Sequence, residues 1–215
     1  VSFSNTEGKR EATMQKPAEN QHPISEVLRA RWSPRAFSSA PIARETLLSL
    51  LEAARWAPSC ANEQPWHFLV VSRQDAEPFA ALVGCLEGLN PAWAASAGVL
   101  LVGLVRTAFA QSGNPNRHAW YDLGQAVSAL SVEATSRGLF MHQMAGFSAE
   151  KLRAAFSIPA GVEPVVVAAL GAYGDASTLP EALRAREGAR RTRNYLNEIA
   201  SWGAWGRPVP GTEGI

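Results

Sequence analysis

Two arginines, Arg31 and Arg35, flank a serine and a proline in the segment Arg31-Trp32-Ser33-Pro34-Arg35-Ala36-Phe37. Guanidinium forks match the oxygens of a phosphate in charge and shape, so this set can clamp an anion. A second stretch, Ala57-Pro58-Ser59-Cys60-Ala61-Asn62-Glu63-Gln64-Pro65-Trp66-His67-Phe68, is rich in small and amide-bearing residues. Ser59 and Asn62 offer short donors and acceptors, Pro58 ends the preceding helix, and Pro65 fixes an extended entry into Phe68-Leu69-Val70-Val71. A plain connection is shorter and poorer in amides, so this loop reads as one built to approach a ligand. Near the other end Arg184, Arg186, Arg190, Arg191 and Arg193 crowd together. They read either as a solvated helix over Leu179 to Leu196, with charge pairs such as Glu187 to Arg191, or as further anion contacts.

These groups need elements to hold them. Ile24, Val27 and Leu28 have helical spacing, and a second helix opens at Pro41 and runs through Trp56 with Leu47, Leu48, Leu51 and Ala54 on one face. Phe68 to Ser72, Val99 to Val105 and Pro164 to Leu170 are continuous apolar runs of strand length, the pattern of strands covered on both faces. Further helices are expected over Asp75 to Leu86, over Ala119 to Arg137, and from the Ser148 cap through Phe156. The Ala119 helix carries many small residues and is a candidate for the core of a dimer. Another extended piece begins at Gly138. Between Arg106 and His118 the composition turns to Gln, Ser, Gly, Asn and Pro, which reads as a mobile excursion able to cover an active site. Alternating helices and strands make the fold α+β, a sheet sandwiched by helices.

A chain of 215 residues suits one domain, taken as 22–215, with the polar residues 1–21 set apart as a disordered extension in which Met14 is an alternative start. Hydrophobic residues at 47% and charged residues at 18% argue against disorder or a fibrous repeat. A net charge of +1 gives no electrostatic case for nucleic acid or an anionic membrane as partner. Cys60 and Cys85 are the only cysteines, so neither a disulfide framework nor a metal site is indicated, and a cytoplasmic location is expected. There is no Gly-x-Gly-x-x-Gly after a strand and no Walker-type lysine loop, so a nicotinamide cofactor would bind transiently.

Arg-x-Ser-x-Arg, then a helix, then Ala-Pro-Ser-x-x-Asn-x-Gln-Pro-Trp resembles the nitroreductase family of FMN-dependent oxidoreductases, over about Ile24 to Leu196. The resemblance implies a nitroreductase-like sandwich with a mostly antiparallel central sheet, and a domain-swapped homodimer with FMN at the subunit interface. It places cofactor contacts on Arg31, Trp32, Ser33 and Arg35, and on Asn90, Gln143, Met144, Ala145 and Gly146. Arg191 and Arg193 join Arg31 at the phosphate, and Pro58, Ser59, Cys60 and Asn62 reach the flavin of the other subunit. Catalytic roles fall to Arg35, whose fixed charge would favour the reduced flavin, and to the backbone amides of Ala145 and Gly146. Some relatives carry a glutamate where Ala145 stands, and a backbone donor survives that change.

The implied activity is hydride transfer from NAD(P)H to a flat electron-poor acceptor, a nitroaromatic or quinone, by a ping-pong mechanism. Enone reduction, dehalogenation and flavin degradation are alternatives within the superfamily, and flavin storage is the alternative outside catalysis. Trp93, Phe109, His118, Trp120 and Tyr121 either line the acceptor face by stacking or pack in the core or a dimer contact. Trp202 and Trp205 are candidates to clasp a partner subunit. Two rival readings remain: Cys60 as a nucleophile with His67 or His142, and nucleic-acid binding by the arginine-rich end, which predicts strong salt dependence.

Overall fold

A computed structural model of the chain describes residues 14–212. Its helices and strands follow in the order α1 (Glu26–Ala30), α2 (Arg44–Arg55), β1 (Trp66–Ser72), α3 (Ala76–Gly84), α4 (Pro91–Ala94) and β2 (Val99–Arg106). Then come α5 (Ala119–Ser136), β3 (Phe140–Met144), α6 (Ala149–Phe156), β4 (Val162–Gly171), α7 (Glu181–Gly188) and α8 (Leu196–Ile199). The strands form one four-stranded sheet in the order β1, β2, β4, β3, with every neighbouring pair antiparallel. This is the α+β sandwich expected of the sequence.

Side-chain alternation along β2 explains its unbroken apolar run. Leu100, Val102 and Leu104 enter one core with Phe79, Leu82, Trp93, Leu152 and Val167. Val99, Leu101 and Val105 enter the other, where they meet Leu50 and Ala54 of α2 and Leu123, Ala126 and Leu130 of α5. A strand buried on both sides has no polar face to alternate with. Each fully buried leucine contributes roughly 2 kcal/mol, so Leu123 and Leu130 clamp α5 firmly to the sheet.

Several boundaries differ from expectation for local reasons. The chain stays extended through Ala43, so α2 begins at Arg44 and not at Pro41. The short α4 was not expected; a proline in its first turn presets the helical φ. The arginine-rich section is corrected as well, because α7 stops at Gly188 and Ala189 is extended, which removes the expected Glu187–Arg191 helical pair. The segment between Arg106 and His118 contains a hydrogen-bonded turn: Ala108 bridges Pro115, Phe109 N–H donates to Asn114 O at 2.9 Å, and Asn116 is buried.

Of the polar extension, residues 14–21 lie against the rest of the chain, with Ala18 N–H donating to Arg29 O at 2.8 Å and Glu19 paired with Arg190. Residues 1–13 lie outside the described residues. Among the described residues no helix is long and apolar enough to cross a membrane.

Candidate functional site

The Arg31 segment leaves the end of α1 in extended conformation and is held on two sides. On one side Phe37 bridges Tyr173, Ser38 N–H donates to Ala172 O at 3.0 Å, and Gly174 N–H donates to Ala36 O at 2.8 Å. A Cβ at Gly174 would lie 2.5 Å from the Phe37 carbonyl, so only glycine allows this approach. On the other side Glu187, 1% exposed, accepts Arg35 N–H at 2.9 and 3.0 Å and Ala36 N–H at 3.2 Å. Trp32 is buried against Phe140 and Tyr173, with ring centroids 5.8 and 5.5 Å away.

Fixed in this way, Arg31, Ser33 and Arg35 line a cavity of about 220 Å³ together with Arg186, Arg191 and Arg193. Among the described residues none of these five arginines is ion-paired, whereas Arg190 is occupied by Glu19. Burial, then the Arg193 charge, pulls the Arg31 pKa down; burial, then Arg31 and Arg193, does the same to Arg191. Cations gathered against their own repulsion, with the one lining carboxylate among the described residues turned to backbone N–H groups, are the arrangement that could hold an anion. Whole small-molecule sites run to roughly 300–1,000 Å³. This cavity is therefore of a size for one small anionic group and not for a whole ligand.

His142 ties β3 to the same segment. Its Nδ1 lies 2.8 Å from Pro34 O, and since a carbonyl only accepts, Nδ1 carries the proton. Burial pushes its pKa down to about 4; Arg35 pushes the same way, against the hydrogen bonds to the Pro34 and Ser33 backbone. The imidazole is thus neutral at pH 7. Trp93, considered for the acceptor face, is instead core: it is buried, with its ring 4.5 Å from His142 and 6.1 Å from Phe37. Beyond His142, Gln143 and Ala145 are exposed, but the Met144 side chain belongs to the core, which leaves only its backbone for a ligand. Asn90 Nδ2 donates to Gly146 O at 3.0 Å, and a Cβ at Gly146 would sit 2.7 Å from that nitrogen.

The loop carrying Pro58, Ser59, Cys60 and Asn62 lies at the opposite end of the sheet. It runs into β1 where Trp66 pairs with Val105, while the Arg31 segment sits where Phe140 pairs with Gly171. Ala61, Asn62 and Gln64 are all left-handed, with φ of 52°, 54° and 49°. Asp122, 1% exposed, accepts Cys60 N–H at 3.1 Å, and Ser59 Oγ accepts Gln64 N–H at 3.0 Å. Cys60 forms no hydrogen bond with His67 or His142, so no nucleophile pair is assembled. Trp120 and Tyr121 are exposed at the start of α5, and Trp202 and Trp205 are exposed near the C-terminal end.

Sequence reasoning missed Glu187, Asp122 and Lys16. Nothing local marks Glu187, whose helical spacing to Arg191 pointed elsewhere. Asp122 had a weak sign: a carboxylate in the first turn of a helix otherwise lined with apolar and small residues.

A model of the nitroreductase family matches residues 28–172. An uncharacterized 15.4 kDa protein of Mycolicibacterium smegmatis is 42% identical over 137 residues, covering 62% of this chain and 88% of that protein. A candidate NAD(P)H nitroreductase of Bacillus subtilis is 28% identical over 176 residues, covering 68% and 87%. A crystal structure of an oxidoreductase containing FMN superposes with a TM-score of 0.81 at 33% identity, over 87% of this chain and 95% of that one.

Proposed function

This chain belongs to the nitroreductase family of oxidoreductases, and we propose that it binds FMN and passes hydride from NAD(P)H to a flat electron-poor acceptor, a nitroaromatic or quinone. The observation that carries this reading is the set of five arginines around the 220 Å³ cavity that have no ion pair among the described residues. The residues fit the cofactor. The cavity suits its phosphate, and the buried Nε1 of Trp32 on the cavity wall has no hydrogen-bond partner among the described residues.

When bound, FMN would supply the hydride exchange that no side chain here can perform. Arg31, Arg191 and Arg193 hold the phosphate. Arg35, its backbone pinned by Glu187, would supply a fixed cation to stabilise negative charge on the reduced cofactor. The backbone amides of Ala145 and Gly146 would serve the flavin's reacting nitrogen, and Asn90 fixes the Gly146 peptide. Neutral His142 keeps its proton at Nδ1, bonded to Pro34, and adds no charge to the site. Donor and acceptor use this one site in turn, a ping-pong scheme, in the cytoplasm.

A homodimer completes the site in this reading. Gly124, Gln125, Ser128 and Val132 of α5, with the exposed Trp56 and Tyr121, line an open groove of about 760 Å³ suited to a second copy. The Pro58 to Asn62 loop, at the far end of its own sheet, then reaches the partner's flavin. The test is an absorbance spectrum after adding excess FMN and removing what is unbound, followed by anaerobic NADH and then NADPH. Retained yellow colour bleached by either donor is expected. Colour that neither donor bleaches would favour flavin storage, and absence of retained flavin would overturn the reading.

A further inference from the structure

Lys16 lines the arginine cavity although it lies outside the residues matched to the family. Its Nζ donates to the carbonyl oxygens of Glu187, at 2.7 Å, and Ala189, and stands 5.1 Å from the Trp32 ring centroid. Its own carbonyl accepts from Arg191 Nη1, and two residues on, Ala18 N–H reaches Arg29 O at 2.8 Å. The segment is thereby laced to both arginine-bearing stretches that wall the cavity. Among the described residues Lys16 is paired with no carboxylate.

An ammonium has three N–H donors, and backbone carbonyls take two of them here. Burial works against its charge; Glu187 supports it, and the nearby Arg191 and Arg35 oppose it again. A cation kept at such a point, with a donor to spare and a cavity before it, is placed to meet an anion.

We propose that Lys16 is a phosphate ligand of this cavity, delivered by a segment upstream of the family core. The proposal rests on the flavin reading of the site. Its test is titration of the full chain and of Lys16→Met with FMN and with riboflavin, which lacks the phosphate, and with inorganic phosphate followed by thermal shift. Lys16→Met should weaken FMN binding about tenfold or more, leave riboflavin binding unchanged, and reduce the shift given by phosphate. Lys16→Arg, which keeps the charge, should recover most of the loss. Equal weakening of both flavins would show that Lys16 only props the cavity wall and would overturn the proposal, as would unchanged FMN and phosphate binding. If the unaltered chain binds neither flavin but shows a phosphate shift that Lys16→Met abolishes, the flavin reading fails while the anion role of Lys16 stands.

Discussion

In the Arg31 cavity the chain gathers like charges; in the Ser59 to Gln64 loop it gathers left-handed backbone. Both arrangements oppose folding, and they differ in what offsets them. The loop is answered within the chain: Asp122 takes the Cys60 N–H, Ser59 Oγ takes the Gln64 N–H, and the shape is complete before any ligand arrives. A left-handed residue other than glycine costs on the order of 1–2 kcal/mol, with asparagine more tolerant, so the burden falls on Ala61 and Gln64. In the cavity Glu187 is, among the described residues, the only carboxylate on the wall, and its oxygens are committed to the Arg35 and Ala36 N–H groups. The remaining positive charge has no carboxylate partner among the described residues. One region is preorganised, and the other is, on the proposed reading, half of a pair.

The contrast breaks most severely at Glu187. Glu187→Ala should cost about 3 kcal/mol, since one buried and one part-buried N–H group lose their acceptor at roughly 1–3 kcal/mol each, the part-buried one at the low end. Urea unfolding with and without phosphate measures this, and phosphate should return part of the loss because an anion relieves the same repulsion. A loss under 1 kcal/mol would mean that Glu187 does not hold the segment.

Acid should act next, through His142. Its folded pKa of about 4 lies below the ordinary 6.5, so the unfolded chain binds the extra proton between those values and stability falls as pH drops through that window. The contribution reaches about 3 kcal/mol by pH 4. Comparison of stability against pH for the unaltered chain and His142→Asn isolates it, and identical profiles would refute it. The smallest effect tests the loop. Ala61→Gly should be more stable by about 0.5 kcal/mol, relief of the left-handed strain exceeding the entropy lost on ordering glycine. Destabilisation would show that the loop is not strained at Ala61.

The sandwich was legible because its signals are local. β2 and β4 announce themselves as apolar runs, and α5 through the spacing of Leu123, Ala126, Val127, Leu130 and Ala134, all buried. The grouping of Arg31, Ser33 and Arg35 on one cavity wall was legible for the same reason, the three being near neighbours. What escaped was carried by distant pairs. Glu187 meets Arg35 across 152 positions, and its nearer partner Arg191 suggested a helix that ends too early for the pairing to form. Composition gave no sign that polar residues bond to one another between Arg106 and His118, where Asn116 is buried, or that the polar stretch around Lys16 packs beside the cavity.

That the cavity is closed by residues 186–193 also sets an order of events during synthesis. The sheet is complete once β4 has reached Gly171, so its strands can pair while the last stretch is still in the ribosome. Contacts such as Lys16 with Ala189, 173 positions apart, must come last. On the proposed reading, cofactor loading would therefore be a late event, and a chain clipped before Glu187 would keep its four strands while lacking Glu187, Arg191 and Arg193 of the cavity wall.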